Sequence, residues 1–574
     1  MGLAGGVEVG QMVCGRGGRR HEGSVSLGNK VFWEQQGACG YGYDSTVKSV
    51  VRPASVRRWR PVLTAVALCT TAAFAVAAQS DPLKRADHIH LPTLGDTARV
   101  DLSPVVERKL GEEIMRDIRR DRDYLDDEPI SEYLNNFGNG LVAAAPGARG
   151  ETNADFHFFA VRDAALNAFA LPGGFIGAHS GLVIAAQTES ELAGVVAHEI
   201  GHVTQRHIAR MLGQQRQDIL LPLASMILAA LAAKAGSDAA MGVLMGGQGL
   251  VVQRQLNFSR DAEREADRVG FQIMEAGGYD TTGIVAFFRR LQNASKLYGE
   301  LPTGLSNLSS HPLTQERISD MQARIREMPK KQRVDSLDFH LVRARIRVLQ
   351  EPSEQGQRNT RSAFNTQLRE AHRHQQAGAQ YGLAYLALKQ GNLADAQSWL
   401  DKSRETMKPR EGVLSVASNV GDGATMYAGL AIEIKMAPGQ PASVLAEAVK
   451  EAETMHARFP LSRSLAHQYA DAMIATGKLD EATRFLRDQS QQYREEYKLQ
   501  DLLAKAYAKQ GKIALQHMAL AESYVLAGAT PAAMAQLELA RKARDASFYD
   551  QAVIDARARE LEAQQKKDKE EKDD

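Results

Sequence analysis

Five consecutive residues constrain this chain more than any other stretch: His198-Glu199-Ile200-Gly201-His202. Histidines at i and i+4 face the same way only on a helix, where residues one turn apart share a face. On such a helix both rings reach one metal ion at about 2.0–2.1 Å, and Glu199 is placed to take a proton from a metal-activated water. The flanks suit a helix interior: Leu192, Val195, Val196 and Ile200 are apolar. Glu189 and Glu191 put negative charge at its start, where the helix dipole favours it. The alternative is a pair of core or solvated histidines, because a chain with 15 histidines can produce the pattern by chance.

A catalytic zinc keeps three protein ligands and one open position. Cysteine cannot complete the set, since Cys14, Cys39 and Cys69 all precede residue 70 and the rest of the chain has neither thiolates nor disulfides. The run Ser259-Arg260-Asp261-Ala262-Glu263-Arg264-Glu265-Ala266-Asp267 sets Glu263 and Asp267 on one helical face. Glu263 is read as the third ligand. Asp267 is read as its supporting acid, holding a histidine ring or managing protons. A solvated charged helix is the alternative for this segment.

Around these residues the chain divides into regions. Arg57, Arg58 and Arg60 precede an apolar run, Pro61 to Ala78, that ends in small residues. Residues 51–78 therefore read as a signal peptide, with a mature chain from near Gln79; a membrane anchor is the alternative. Residues 1–50, Gly-rich and without periodicity, read as a non-native or disordered extension ahead of a start near Val51. Residues 91–330 read as a metallopeptidase domain. In it Val105, Val106, Leu110, Ile114 and Ile118 share a helical face, and a helix starts at Pro129. The pattern turns β-like from Asp155 to Val161, Asn167 to Leu171 leads into the turn Pro172-Gly173-Gly174, and Phe175 and Ile176 lie in another strand, so a small sheet comes just before the metal helix. The apolar stretch Ile219 to Ala233 is short for a membrane span, and reads as a buried helix or as a surface resting on a membrane or apolar partner. The Gly-rich run Met241 to Leu250 reads as mobile.

Residues 338–560 are helical in pattern and carry repeated units that turn at Gly391, Gly477, Gly511 and Gly528. Gly477 and Gly511 stand 34 apart, the tetratricopeptide period. Residues 561–574 read as a disordered charged tail. The expected fold is thus mostly α with a small β-sheet, an α+β zincin-like metalloprotease domain followed by an α-helical tetratricopeptide-repeat solenoid. A net charge of +1, with acids and bases interspersed, offers no basic face for nucleic acid.

HEIGH followed by Ser-Arg-x-x-Glu-x-x-Ala-Asp resembles the zinc metallopeptidase family that contains the HtpX and CAAX prenyl proteases. Asn167-Ala-Phe-Ala-Leu-Pro-Gly-Gly-Phe-Ile and Ser180-Gly-Leu resemble it too. The signal peptide, the lead-in Leu91-Pro-Thr-Leu-Gly and the repeats are similar to its periplasmic branch. The resemblance implies one Zn2+ per chain held by His198, His202 and Glu263, with Glu199 as general base and Asp267 in support. It implies that Phe169 to Ile176 forms an edge strand on which an extended substrate adds. Ser309-Ser310-His311-Pro312 resembles a Ser-x-His-Pro element. His311 is then an oxyanion donor or an occluding fourth ligand, against a plain loop residue before a helix starting near Leu313. His207 falls off the ligand face and reads as structural or exposed, and His157 and His179 as core or surface residues. The implied clients are misfolded or stalled outer-membrane proteins in the periplasm, with the outer-membrane assembly machinery contacted through the repeats and peripheral membrane contact left open. Two alternatives stand beside this: a repeat-based chaperone or scaffold in which proteolysis is secondary, and an integral membrane peptidase, for which no sufficient span follows residue 80.

Overall fold

A computed structural model describes residues 103–149, 154–213, 260–298, 311, 314–327, 331, 333–370, 372–408 and 421–573. The expectations for 1–78, 91–102, 219–233 and 241–250 lie outside them. Helix α1 (Pro104–Arg120) starts at Ser103, whose hydroxyl accepts the Val106 N–H, with Pro104 in the first turn. It buries Ile114, Met115 and Ile118 against Phe159, Val161, Leu171 and Phe175. Val105 and Val106, expected on that face, are exposed at 79% and 48%. A helix of 17 residues is about 25 Å long, whereas the strands it covers, five residues at most, span about 17 Å, so the first turn overhangs. Helix α2 (Glu128–Ala144) is capped by Asp127 and buries Ile130, Tyr133, Leu134, Phe137 and Leu141.

The sheet has three strands, β1 (His157–Val161), β2 (Ala168–Ala170) and β3 (Phe175–His179), in the order β1–β3–β2. β1 runs parallel to the central β3 and β2 antiparallel to it. The His179 N–H donates to the Asn167 carbonyl, and the Leu171 N–H to the Phe175 carbonyl. Because backbone groups alternate sides along a strand, Ala168 and Ala170 turn theirs to the free edge. The exposed edge is thus shorter than the expected Phe169 to Ile176. Pro172–Gly174 is a 3-10 turn, and Phe175 and Ile176 lie in the central strand, where their backbone is already paired.

After α3 (Ser180–Ala185) comes α4 (Glu189–Thr204), N-capped by Thr188 and buried along its whole length. It packs on β2, β3, α2, α6 (Arg260–Ala276) and α7 (Thr282–Tyr298). Between α4 and α6 lies α5 (His207–Gly213), and α8 (Gln315–Glu327) follows α7. The α4–α6 crossing is close because glycines line it. A Cβ on Gly201 would sit 2.9 Å from the Ala266 carbonyl oxygen, and one on Gly270 would sit 3.1 Å from the His198 nitrogen.

The rest is a right-through array of helices: α9 (Leu337–Gln350), α10 (Glu354–Glu370), α11 (Arg373–Lys389), α12 (Leu393–Met407), α13 (Ala424–Lys435), α14 (Ala442–Arg458), α15 (Arg463–Ala475), α16 (Leu479–Gln492), α17 (Tyr497–Gln510), α18 (Ile513–Leu526), α19 (Thr530–Lys542) and α20 (Phe548–Asp573). Gly391, Gly477, Gly511 and Gly528 each end a helix with φ between 73° and 81°, a left-handed conformation that glycine adopts without strain. One apolar core runs from α2 and the sheet through α4 into α9, α11 and α13. Buried Arg345 of α9 ties the parts further, donating to Asp127 and to Glu433, each at 2.8 Å. The expected disordered tail at 561–574 is corrected: α20 runs to Asp573. Its Ala, Glu, Gln and Lys favour helix, and Leu561 is buried with Ile554 and Ala558 against α19. The described residues are mostly α with one small sheet, as expected, and among them no helix is long and apolar enough to cross a membrane.

Candidate metal centre

α4 projects His198, Glu199 and His202 toward α6, and all three are buried. The two histidine Nε2 atoms are 3.1 Å apart. Glu263 of α6 reaches between them, with one oxygen 3.5 Å from His198 Nε2 and the other 3.5 Å from His202 Nε2. A tetrahedral zinc with ligands at about 2.0–2.2 Å sets its donor atoms about 3.3–3.6 Å apart, so the two 3.5 Å spacings match one ion of that size and the 3.1 Å histidine pair is slightly tighter. The donor set, two imidazoles and a carboxylate with no thiolate, is also one that zinc accepts. Beside it, Glu199 Oε2 is buried without a hydrogen-bond donor among the described residues. α4 packs on β2, and the backbone N–H of Ala170 lies near enough to the Glu199 carboxyl to pull its pKa down.

The expected supporting residues also converge. Asp267 Oδ1 lies 3.0 Å from His198 Nδ1, behind the ligand ring. His311 joins the cluster, its Nδ1 2.8 Å from Glu263 Oε1 and its Nε2 3.6 Å from Glu199 Oε1. His198, His202, Glu263 and His311 place one ligand atom each within 4.8 Å of one another. His157 and His179 lie away from the cluster in the sheet, the latter 3.4 Å from Asp163.

The buried titratable groups of the site are pushed in opposite directions. Burial disfavours a charged His198, but Asp267 and Glu263 outweigh it and lift its pKa to about 10. His202 moves the other way, lowered by burial and by the charges of His198 and His311. Burial also opposes ionisation of Glu263, yet His311 and His198 hold its pKa well below the carboxylate range. Glu199 is raised, chiefly by burial, with His311 and His198 pulling against it.

Three residues of the site escape sequence reasoning. Arg317, buried in the first turn of α8, donates to both oxygens of Asp267 at 2.8 Å and lies 2.7 Å from Glu263 Oε2. A signal for it exists: an arginine in a helix's first turn opposes the helix dipole and calls for a strong acidic partner. His207, expected to be structural or exposed, is buried, with Nδ1 2.9 Å from His202 Nδ1. Glu265 stands behind it, 3.1 Å from His207 Nε2. The sequence hides this pair because Arg206 adopts φ +51 and breaks the helical phase between His202 and His207.

The profile of peptidase family M48 matches residues 132–325, which span the whole cluster. The chain is 39% identical over 290 residues to a putative beta-barrel assembly-enhancing protease of Vibrio cholerae, covering 50% of this chain and 57% of that relative. It is 30% identical over 475 residues to the beta-barrel assembly-enhancing protease of Escherichia coli (strain K12), covering 82% of this chain and 91% of the relative. A mitochondrial metalloendopeptidase OMA1 of Schizosaccharomyces pombe is 25% identical over 225 residues, 39% of this chain and 62% of that protein. With three buried histidines and one glutamate at metal-binding spacing and a relative matched along nearly its full length, the chain belongs to peptidase family M48, a family of metallopeptidases.

Proposed function

We propose that the chain is a zinc endopeptidase of the bacterial periplasm that hydrolyses peptide bonds in misfolded or stalled outer-membrane proteins. The observation that carries this reading is the convergence of His198, His202 and Glu263 on one point beside a buried Glu199. The relatives supply the client class: they are named for enhancing beta-barrel assembly, and proteins that span an outer membrane are closed barrels.

His198, His202 and Glu263 would hold the zinc, which supplies a Lewis acid for the scissile carbonyl and makes water more acidic. Glu199 takes the proton of the attacking water and returns it to the leaving amine. Asp267 orients His198 from behind, and Arg317 fixes both acids. An extended substrate lies along the free edge of β2, where Ala168 and Ala170 offer outward backbone groups next to Glu199. His311 serves as a cap in the arrangement described, since its ring lies between Glu263 and Glu199, where water and substrate carbonyl must enter.

The domain division at 91–330 and 338–560 belongs to the same proposal. The helical hairpins with left-handed glycine turns support tetratricopeptide repeats, which present a surface for protein clients and for the assembly machinery. The decisive experiment compares envelope proteomes of cells carrying the native chain or Glu199→Gln. Outer-membrane barrels should accumulate as uncleaved stalled forms in the variant, and identical proteomes would end this reading.

A further inference from the structure

His207 is no ligand, yet it is buried against one. Its Nδ1 lies 2.9 Å from His202 Nδ1, its Nε2 lies 3.1 Å from Glu265 Oε2, and Arg210 donates to the same carboxylate oxygen at 2.7 Å. Proton positions along this chain follow from its two ends. A carboxylate only accepts, so His207 Nε2 carries a proton. His202 Nε2 must be bare to bind a metal, so the neutral ring keeps its proton on Nδ1. His202 Nδ1–H then donates to His207 Nδ1, and His207 Nε2–H donates to Glu265, with every atom in a single role. The geometry points to His207 and Glu265 as positioning residues that fix the tautomer and ring orientation of His202 for the metal.

The backbone is bent to make this contact. On an uninterrupted helix, the fifth residue after His202 would stand about 140° around the axis and miss its ring. Arg206 takes the left-handed conformation instead, at a cost of about 1–2 kcal/mol for a residue with a side chain. Its guanidinium, 3.2 Å from buried Glu107 of α1, holds the turn there. His198 needs no such device, since Asp267 approaches it directly from α6. The two histidine ligands are therefore held by different means, and a substitution at position 207 acts on one alone.

The inference rests on the metal reading above. Its test uses the full chain, with zinc affinity measured by chelator competition on the native protein, His207→Leu and His207→Asn. Leucine fills the space but cannot accept, whereas the Asn oxygen sits close to the position of the imidazole Nδ1. His207→Leu should bind zinc about 10–100-fold more weakly. His207→Asn should stay near the native affinity, with metal-free melting temperatures matching between the two. In 15N-histidine spectra of the native chain, His202 should be the Nδ1–H tautomer with and without zinc. Equal zinc affinity in the native chain and His207→Leu overturns the inference and leaves the metal reading standing. So does a His202 found unprotonated at Nδ1, a result that decides the matter even where His207→Leu fails to fold. A native chain that takes up no zinc overturns both.

Discussion

Gly201 is the fourth residue of the motif, and its lack of a side chain sets the distance between α4 and α6. A Cβ added there meets the Ala266 carbonyl oxygen at 2.9 Å and Ala266 Cα at 3.1 Å, both backbone atoms that cannot rotate away. Ordinary contact begins at 3.4 Å, so Gly201→Ala must part the helices by the difference, 3.4 minus 2.9, or 0.5 Å. Glu263, one turn before Ala266 on α6, moves with the backbone. Its 3.5 Å spacings to the two ligand nitrogens then grow to about 4 Å, whereas metal sites hold their distances to about 0.2 Å. The stability ledger is nearly flat: overpacking costs about 1–3 kcal/mol, and replacing glycine by alanine inside a helix returns about 1 kcal/mol. The expected phenotype is therefore a separation of effects. Zinc affinity by chelator competition falls at least about tenfold, and peptide cleavage with it, while the melting temperature of the metal-free chain shifts by only a few degrees. A Gly201→Ala chain that binds zinc and cleaves like the native protein would refute the idea that close helix approach builds the site. Gly270→Ala, with its Cβ 3.1 Å from the His198 nitrogen, should show a milder form of the same loss.

Arg317→Met strips the guanidinium from two buried carboxylates and should destabilise the metal-free chain by about 3–5 kcal/mol in denaturant titrations; Arg317→Lys should recover only part, since one ammonium cannot pair both oxygens of Asp267. His311→Ala should raise the rate of cleavage of an unfolded protein substrate if the ring caps the site, and a lower rate would favour the oxyanion role instead. Burial lowers the pKa of His157 to about 4 and of His340 to about 3, from an unfolded value near 6.5. The unfolded state then binds more protons in that interval, so stability present above pH 6.5 should drain away as pH falls toward 4. Melting curves at pH 7.5 and 5 test this, and His340→Gln should flatten the slope.

What was legible in the sequence was local. The spacing of His198 and His202 dictates one helix face, and Glu263 and Asp267 repeat that spacing on α6, so helical period pairs these residues while the resemblance joins the two pairs into one site. The turn glycines announced the hairpins because a left-handed residue at a helix end is a local demand. The remainder is tertiary. Arg317 meets Asp267 across 50 positions, and His207 reaches His202 only because Arg206 leaves the helical region. The edge strand that the resemblance implies, Phe169 to Ile176, exceeds the exposed edge because Phe175 and Ile176 pair on both sides, and which strand pairs outside is a tertiary matter. The tail was read as unstructured from its charge, although the same residue types are good helix formers once Leu561 has a surface to bury.

The central claim is that His198, His202 and Glu263 hold a zinc ion whose chemistry passes through Glu199. Metal content by mass spectrometry, measured on the same samples as cleavage of a denatured outer-membrane barrel, tests it in one comparison of the native chain with Glu199→Gln and Glu263→Ala. The account predicts one zinc per chain in the native protein and in Glu199→Gln, little in Glu263→Ala, and cleavage in the native protein alone. Cleavage by Glu199→Gln at the native rate, or full zinc occupancy without Glu263, would contradict it.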